Sequence, residues 1–522
     1  MAIDPPLNST LTSTMTLDKT HRSRTLVLHP FFFGMFPLFS LLSANLVWAG
    51  FGEVFLPVAV ILAISAFLWL ALWPLLPQPH KRGLVLALFW IPFYGYSTII
   101  DGVRTLFDFR DMLGALPLIA IGLVALVLAL VVMLWLRRAP WTFEATTTVL
   151  NRISALALTV AFLSCVVAVA RQVTSTGPSE SRPAEPTAAA DPSLPNIYFI
   201  LCDAYPRADY LQSYFGIDNT PFLTQLRERG FYVADRSRSN YPNTLPSLAS
   251  TFNLEYLDNA MATGGWDEHY PELLPRVRDN TVVQSLQARG YEFVAIASGL
   301  FPTDLSNADR FIHPGATFQT EYQQRLIDMT PIRSIFNRMK KPRWHHRVPF
   351  VLESLETIRR EDRPMFVFGH ILAPHLPHAY DAEGNVLASF PPYKDGWRQV
   401  TQFLNRRLVE VVDAILAHEP NSVILIEGDH GPNTSWQDAI NLVEIPWKGT
   451  WEDYVRDRSA NLSAFYFPDR QYEGLLYPEI TPVNTFRVIF NKYFGADYEM
   501  LEDVTYLSPQ RSSEIRRITE VH

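Results

Sequence analysis

Ser422-Val-Ile-Leu-Ile-Glu-Gly-Asp-His-Gly431 is a branched-aliphatic run that ends in an Asp-His pair set between two glycines. Such a run is too short for a helix and too apolar for an exposed strand, so it reads as a buried strand with polar groups emerging at its end. A second run of this kind, Asn196-Ile-Tyr-Phe-Ile-Leu201, leads into Cys202 and Asp203, and a third, Pro364-Met-Phe-Val-Phe368, leads into Gly369 and His370. Amphipathic stretches lie between them: one capped near Asn219-Thr220-Pro221 and closed by Gly230, one at Gln284–Arg289 before the strand candidate Tyr291–Ala297, and a long one near Trp397–Ala417. This alternation predicts a central, mostly parallel sheet covered by helices on both faces. Ligands of such sheets sit beyond the carboxyl ends of the strands.

The rest of the chain is of another kind. Hydrophobic residues make up 48% of the 522 and charged residues only 18%, below the roughly 25% of an ordinary globular domain. Residues 1–171 hold 7 acidic and 11 basic side chains, leaving 45 and 33 for the remainder. Five runs almost free of charge, 26–48, 54–76, 84–100, 114–136 and 149–170, approach the ~20 residues that cross a hydrocarbon core. They predict an N-terminal helical transmembrane bundle of about five spans, the third being the shortest and interrupted by Pro92 and Gly95. Lys19, Arg22, Arg24, Lys81, Arg82, Arg137, Arg138 and Arg152 would then lie on the cytoplasmic side. An odd number of crossings places the C-terminal half on the extracytoplasmic face.

Residues 172–194, dense in Pro, Ser, Ala and Glu, read as a flexible linker. The expected organisation is therefore a cytoplasmic tail (1–25), a multi-pass membrane domain (26–171), the linker (172–194) and an exported catalytic domain (195–522). A net charge of −8 argues against a nucleic-acid partner. Two cysteines, Cys165 and Cys202, exclude a disulfide framework or a thiolate metal knuckle.

Three polar clusters carry the chemistry. Asp203, Asp429 and His430 form a plausible ligand set for zinc, manganese or magnesium, set against the bland reading of two loop acids and a solvated histidine. In Ser239-Asn-Tyr-Pro-Asn-Thr-Leu-Pro-Ser-Leu-Ala-Ser250, Thr244 opens an apolar helical pattern. There it is a helix cap or, with a metal nearby, a nucleophile. Gly369–Asp381 holds His370, His375, His378 and Asp381, groups able to hold a phosphoryl oxygen, bind a second metal or protonate a leaving alkoxide. His370 also reads as a buried histidine supporting the others. Arg458 and Arg487 are read as structural or solvated arginines before any role on an anion.

Taken in order, the strand ending in Asp203, the SNYPNT segment, the PHLPH loop and the GDHG turn resemble the sulfatase and alkaline phosphatase superfamily over about residues 195–490. The likeness is strongest to membrane-anchored bacterial members of the lipoteichoic acid synthase and phosphoethanolamine transferase type. The resemblance implies an α/β alkaline-phosphatase-like domain and one divalent metal ion, calcium if the chain is sulfatase-like. It matches Asp203, Thr244, Asp429 and His430 to the metal ligands, Thr244 to the nucleophile and His375 to the histidine beside the transferred group. His370, His378 and Asn243 are expected on the substrate side.

Thr244-Leu-Pro-Ser-Leu248 keeps the proline of the sulfatase nucleophile motif but lacks its oxidisable Cys or Ser and its Arg, and Ala204 stands where most sulfatases have a second Asp. The implied activity is transfer of a phospho-alcohol head group from a membrane lipid to a glycan, lipid or water acceptor through a phospho-threonine. A sulfatase or phosphodiesterase-type hydrolase is the enzymatic alternative, and an inactive membrane scaffold the non-enzymatic one.

Overall fold

The computed structural model describes residues 25–45, 51–99, 128, 130–175, 191, 193–257, 269–314, 321–333, 346–387, 391–434, 436–438, 443–444, 449–507 and 515–519. The expected tail lies outside the described residues up to residue 24, as does most of the expected linker. Eleven strands are present among those described: β1 Asn196–Cys202, β2 Tyr232–Val233, β3 Glu292–Ile296, β4 Arg310–Ile312, β5 Met365–Ile371, β6 Ser422–Gly428, β7 Trp436–Asp438, β8 Val443–Glu444, β9 Ser463–Tyr466, β10 Thr505–Leu507 and β11 Arg516–Ile518. Seven of them form one sheet in the order β2-β9-β6-β1-β5-β3-β4.

β1, β5 and β6 are buried along their whole length, which is why all three read as continuous apolar runs. β1 lies between the other two in parallel register, with Leu201 opposite both His370 and Glu427. The expectation of a mostly parallel sheet needs correction, because the sheet is mixed. β9 runs antiparallel to β6 on one side and to β2 on the other. The chain reaches β9 through the helix Trp451–Ser459 and residues 460–462, which bridge Pro206 and Arg238, and enters β9 from the end at which β6 finishes.

Successive residues of each strand face opposite layers. Tyr198, Ile200, Val367 and Ile426 pack beneath the helices Arg347–Thr357 and Tyr393–His418. Ile197, Phe199, Phe368 and Leu425 pack beneath the helices Thr244–Asn253 and Pro482–Phe494. Phe199 is the centre of the second layer, its ring 5.4 Å from Phe486, 5.7 Å from Phe252 and 5.9 Å from Phe368.

The five-span bundle is also corrected. Among the described residues two helices are long and apolar enough to cross a membrane, Phe51–Ala71 and Glu144–Ala170. The first expected span is a helix of 17 residues, His29–Asn45. The third is a helix of 16, Pro79–Tyr94, whose first turn carries buried Lys81 and Arg82. Lys81 donates to the Ala139 carbonyl at 2.7 Å, and Leu86, Trp90 and Tyr94 are buried against neighbouring helices. An apolar run that short packs as a core helix as readily as it spans. The fourth expected span lies outside the described residues up to residue 127.

The two long helices expose large apolar side chains, including Phe67, Leu70 and Leu156, a surface suited to association with a membrane. The N-terminal helices pack against the helix Glu321–Asp328. Its Tyr322 and Leu326 are buried with Leu38, Leu42 and Trp90, and the Tyr322 hydroxyl donates to the Leu38 carbonyl at 2.9 Å.

Phe199→Ala should lower the unfolding free energy by about 3–5 kcal/mol, read as a fall in the melting temperature of the detergent-solubilised protein; an unchanged melt would show that this layer is not a close-packed core.

Candidate active site

Asp203, His370 and Asp429 come from the ends of the three central strands. Asp203 directly follows β1, where its amide donates to Ile371 at the end of β5 at 2.9 Å. His370 is the penultimate residue of β5, and Asp429 directly follows β6. One ligand atom from each lies within 4.8 Å of the others, and all three residues are buried.

The flanking residues force this convergence. A side chain at Gly428 would place its Cβ 2.3 Å from the Tyr205 carbonyl, and one at Gly431 would place it 2.2 Å from the Asp457 carbonyl. Only glycine permits both approaches. Ala204 adopts a left-handed φ of 58°, uncommon for a residue with a Cβ. Its amide donates to Asp429 Oδ1 at 2.8 Å, and the His430 amide donates to the same oxygen at 3.0 Å.

With Oδ1 held in this way, Asp429 Oδ2 has no hydrogen-bond partner, and neither does Asp203 Oδ1 or His370 Nε2. Buried, unpartnered atoms on three residues whose ligand atoms converge within 4.8 Å fit a cation, since desolvated carboxylates otherwise lack compensation. Two carboxylates and an imidazole suit one divalent metal ion. His430 stands beside them, with Nε2 at 3.6 Å from Asp203 and 3.5 Å from Asp429. Its Nδ1–H donates to the Gly431 carbonyl at 2.7 Å, which turns Nε2 toward the two carboxylates.

Burial raises the Asp429 carboxyl pKa most strongly, but His430, His370, the Thr244 hydroxyl and the Ala204 amide outweigh it and hold the group below its ordinary value. Burial likewise lowers the His370 imidazole, against the two carboxylates that raise it. Both groups are thereby kept in the deprotonated forms that bind metals.

Thr244 is the first residue of the helix Thr244–Asn253, with Asn243 as its cap position. It is half-buried, unlike the ligands, and its hydroxyl sits beside the Asp429 carboxylate, close enough to favour the charged form. Arg458 donates to Asn243 Oδ1 at 3.2 Å and to the Pro242 carbonyl at 3.4 Å, so this arginine braces the loop that presents Thr244. Arg487 instead donates to the Leu254 and Glu499 carbonyls, a structural role.

The PHLPH loop folds over the same end of the sheet. The His375 amide donates to the Asp203 carbonyl at 3.1 Å, and its half-exposed ring stands edge-on to His430 with centroids 6.4 Å apart. Its Nδ1–H donates to the Leu376 carbonyl at 2.6 Å, directing Nε2 away from its own loop. His378 turns inward against Tyr393 and Trp397. Burial, with help from His375, pushes its imidazole down to about 3. Asp381 instead closes a turn with Glu383 and Asn385.

The structure thus brings Asp203, Thr244, His375, Asp429 and His430 together, with Asn243 at the edge. It also brings in His370, which the sequence placed on the substrate side or among supporting residues, as one of the three clustered ligands. Glu427, given no role by the sequence, is buried on the Asp429 face of β6, accepts a hydrogen bond from Thr485 at 2.6 Å, and is pushed up to about 7 by burial.

A family model described as Sulfatase matches residues 195–457, half of the chain, and the chain belongs to this family. Together with the ligand cluster, this makes it a metal-dependent enzyme, a hydrolase or transferase of the sulfatase superfamily. Two solved structures to which it is similar are the C-terminal periplasmic domain of EcEptC from Escherichia coli in complex with Zn, and the integral membrane protein lipooligosaccharide phosphoethanolamine transferase A (EptA) from Neisseria meningitidis. The first is 12% identical and aligns over 61% of this chain and 92% of its own, with a TM-score of 0.41. The second is 15% identical and aligns over 89% and 95%, with a TM-score of 0.40. None of the curated proteins matches the chain.

Zinc or manganese at a hundredfold excess over its dissociation constant should raise the unfolding free energy by about 2.7 kcal/mol. A chelator should reverse the gain, and Asp203→Asn, His370→Ala or Asp429→Asn should each abolish it. A thermal melt insensitive to metal and chelator would contradict the assignment.

Proposed function

We propose that this enzyme is a membrane-anchored phosphotransferase that moves a phospho-alcohol head group from a lipid phosphodiester to a second alcohol or to water, with Thr244 as the nucleophile. The observation that carries the reading is the half-buried Thr244, its hydroxyl beside the buried Asp429 carboxylate, at the first turn of a helix. Asp203, His370 and Asp429 would hold the metal ion, with His430 as a further ligand. When bound, such an ion lowers the proton affinity of a neighbouring hydroxyl and offsets charge on phosphoryl oxygens.

The chain's own groups supply the rest. Thr244 Oγ1, as the alkoxide left once its hydroxyl proton has passed to solvent, forms a bond to phosphorus as the bond to the lipid oxygen breaks, and His375 Nε2, in its protonated form, gives the departing oxygen a proton. The acceptor alcohol or water then attacks the phospho-threonine in line, returns a proton to His375 and releases Thr244. Amide groups of the first helical turn favour the phosphoryl charge throughout. Asn243, held by Arg458, lines the substrate side; His378, buried against Tyr393 and Trp397, supports the loop from within.

The missing oxidisable residue and arginine of Thr244-Leu-Pro-Ser-Leu248 disfavour sulfate ester hydrolysis. Lys81 and Arg82 follow the first long apolar helix, and Arg137 and Arg138 precede the second. By the bias of basic residues toward the cytoplasm, this pattern favours an extracytoplasmic catalytic body on a multi-pass anchor. Tethering confines the site to the surface where lipid head groups are concentrated.

Turnover of a phospholipid carrying a radiolabelled head-group phosphate should leave label on Thr244, located by mass spectrometry. Thr244→Ala should lose both the label and about 10³-fold or more of the rate. Undiminished turnover by Thr244→Ala would sink the proposal.

A further inference from the structure

His370 has two ring nitrogens, and only the one facing the carboxylates can serve a cation. Its Nε2 is buried, without a hydrogen-bond partner, and 4.0 Å from Asp203 Oδ2. Its Nδ1 lies 2.9 Å from Thr303 Oγ1. Thr303 belongs to neither β5 nor the ligand loops. It ends the short helix Phe301–Thr303, which follows β3 after a turn through Gly299 at φ 82°. β3 is the neighbour of β5, with Ile296 opposite Gly369, so the chain leaving β3 falls against His370.

Behind Thr303 the contacts continue inward. Thr303 Oγ1 lies 3.0 Å from Ser298 Oγ, and Ser298 Oγ donates to Asp304 Oδ1 at 2.9 Å. The same Asp304 oxygen accepts the Ser298 amide at 2.7 Å and the Gly299 amide at 3.0 Å. Ser298, Thr303 and His370 are each completely buried, so the contacts from His370 to Ser298 are shielded from solvent.

A carboxylate at its inner end gives the chain of hydroxyls one direction. Ser298 commits its hydrogen to Asp304, and Thr303 has Ser298 Oγ and the Leu300 carbonyl as outlets for its own. A lone pair of Thr303 is then left facing Nδ1. Hydrogen bonds aligned in series strengthen one another.

We propose that Thr303, backed by Ser298 and Asp304, is a positioning residue that keeps the hydrogen of the His370 imidazole on Nδ1 and so presents a bare Nε2 to a divalent cation. Metal-binding histidines depend on such a partner at the second nitrogen for ring orientation and basicity, and losing it weakens metal affinity by about 10- to 100-fold. The inference rests on the metal assignment of Asp203, His370 and Asp429. It is independent of whether Thr244 is the nucleophile.

The test is zinc affinity, measured on the full-length, metal-stripped protein in detergent by competition with a chromophoric chelator. Thr303→Val keeps the shape and removes the acceptor, and should weaken zinc binding by about 10- to 100-fold. Thr303→Ser restores the acceptor and should bind as the parent does. The melting temperature of each variant without metal separates affinity from packing.

Unchanged affinity in Thr303→Val would overturn the proposal, as would an equal loss in the valine and serine variants. If the valine protein does not fold, Thr303→Ala replaces it under the same criterion. Failure of the parent itself to bind zinc would instead strike at the metal assignment.

Discussion

Two carboxylates held together away from water are the constraint on which the rest of this structure turns. Asp203 and Asp429 are both buried, and each keeps one oxygen without a hydrogen-bond partner. Charges in such a setting are costly to bury, by roughly several kcal/mol per ion. Like charges side by side add to the cost unless a proton or a cation intervenes. Among the described residues no lysine or arginine pairs with either carboxylate. The protein supplies imidazoles, His370 and His430, whose free nitrogens face the same point as the carboxylates. That choice converts an electrostatic liability into a metal site.

The fold is arranged to make the liability possible. β1, β5 and β6 must be adjacent and parallel for their last residues to meet, and their burial on both faces demands the long apolar runs that flank each ligand. Gly428 and Gly431 let neighbouring backbone close in on the Asp429-His430 turn, and the left-handed Ala204 turns its amide onto Asp429. The helix beginning at Thr244 packs through Leu248 and Phe252 on the Phe199 layer, which fixes where its first turn ends. Core packing on one side of the sheet therefore sets the position of the hydroxyl relative to the carboxylates.

Much of this was legible in the residues. The strand-terminal positions of Asp203 and Asp429 follow from the apolar runs before them, and the start of a helix at Thr244 follows from the pattern after it. His370 was harder. Nothing in Met365–Ile371 says which strand lies beside it, and only the β1–β5 register, with His370 opposite Leu201, brings the ring to Asp203. Thr303 is further still from view, since its meeting with His370 depends on β3 lying next to β5.

The mixed sheet and the membrane helices were misjudged for related reasons. β9 reads as any short strand, and its direction is decided by where the chain enters it. His29–Asn45 has the composition of a span without its length, while Pro79–Tyr94 carries His80, Lys81 and Arg82 in its first turn and buries Trp90 and Tyr94 against its neighbours.

The central claim is that one divalent cation sits at the meeting point of three strand ends, beside a single hydroxyl. Anomalous diffraction from crystals grown with zinc or manganese tests it directly. The account predicts one strong anomalous peak at about 2.0–2.2 Å from oxygen and nitrogen atoms of Asp203, His370 and Asp429, with Thr244 Oγ1 turned toward it. A peak elsewhere, or a cation at this point with the Thr244 hydroxyl directed away from it and enclosed by the core, would contradict it.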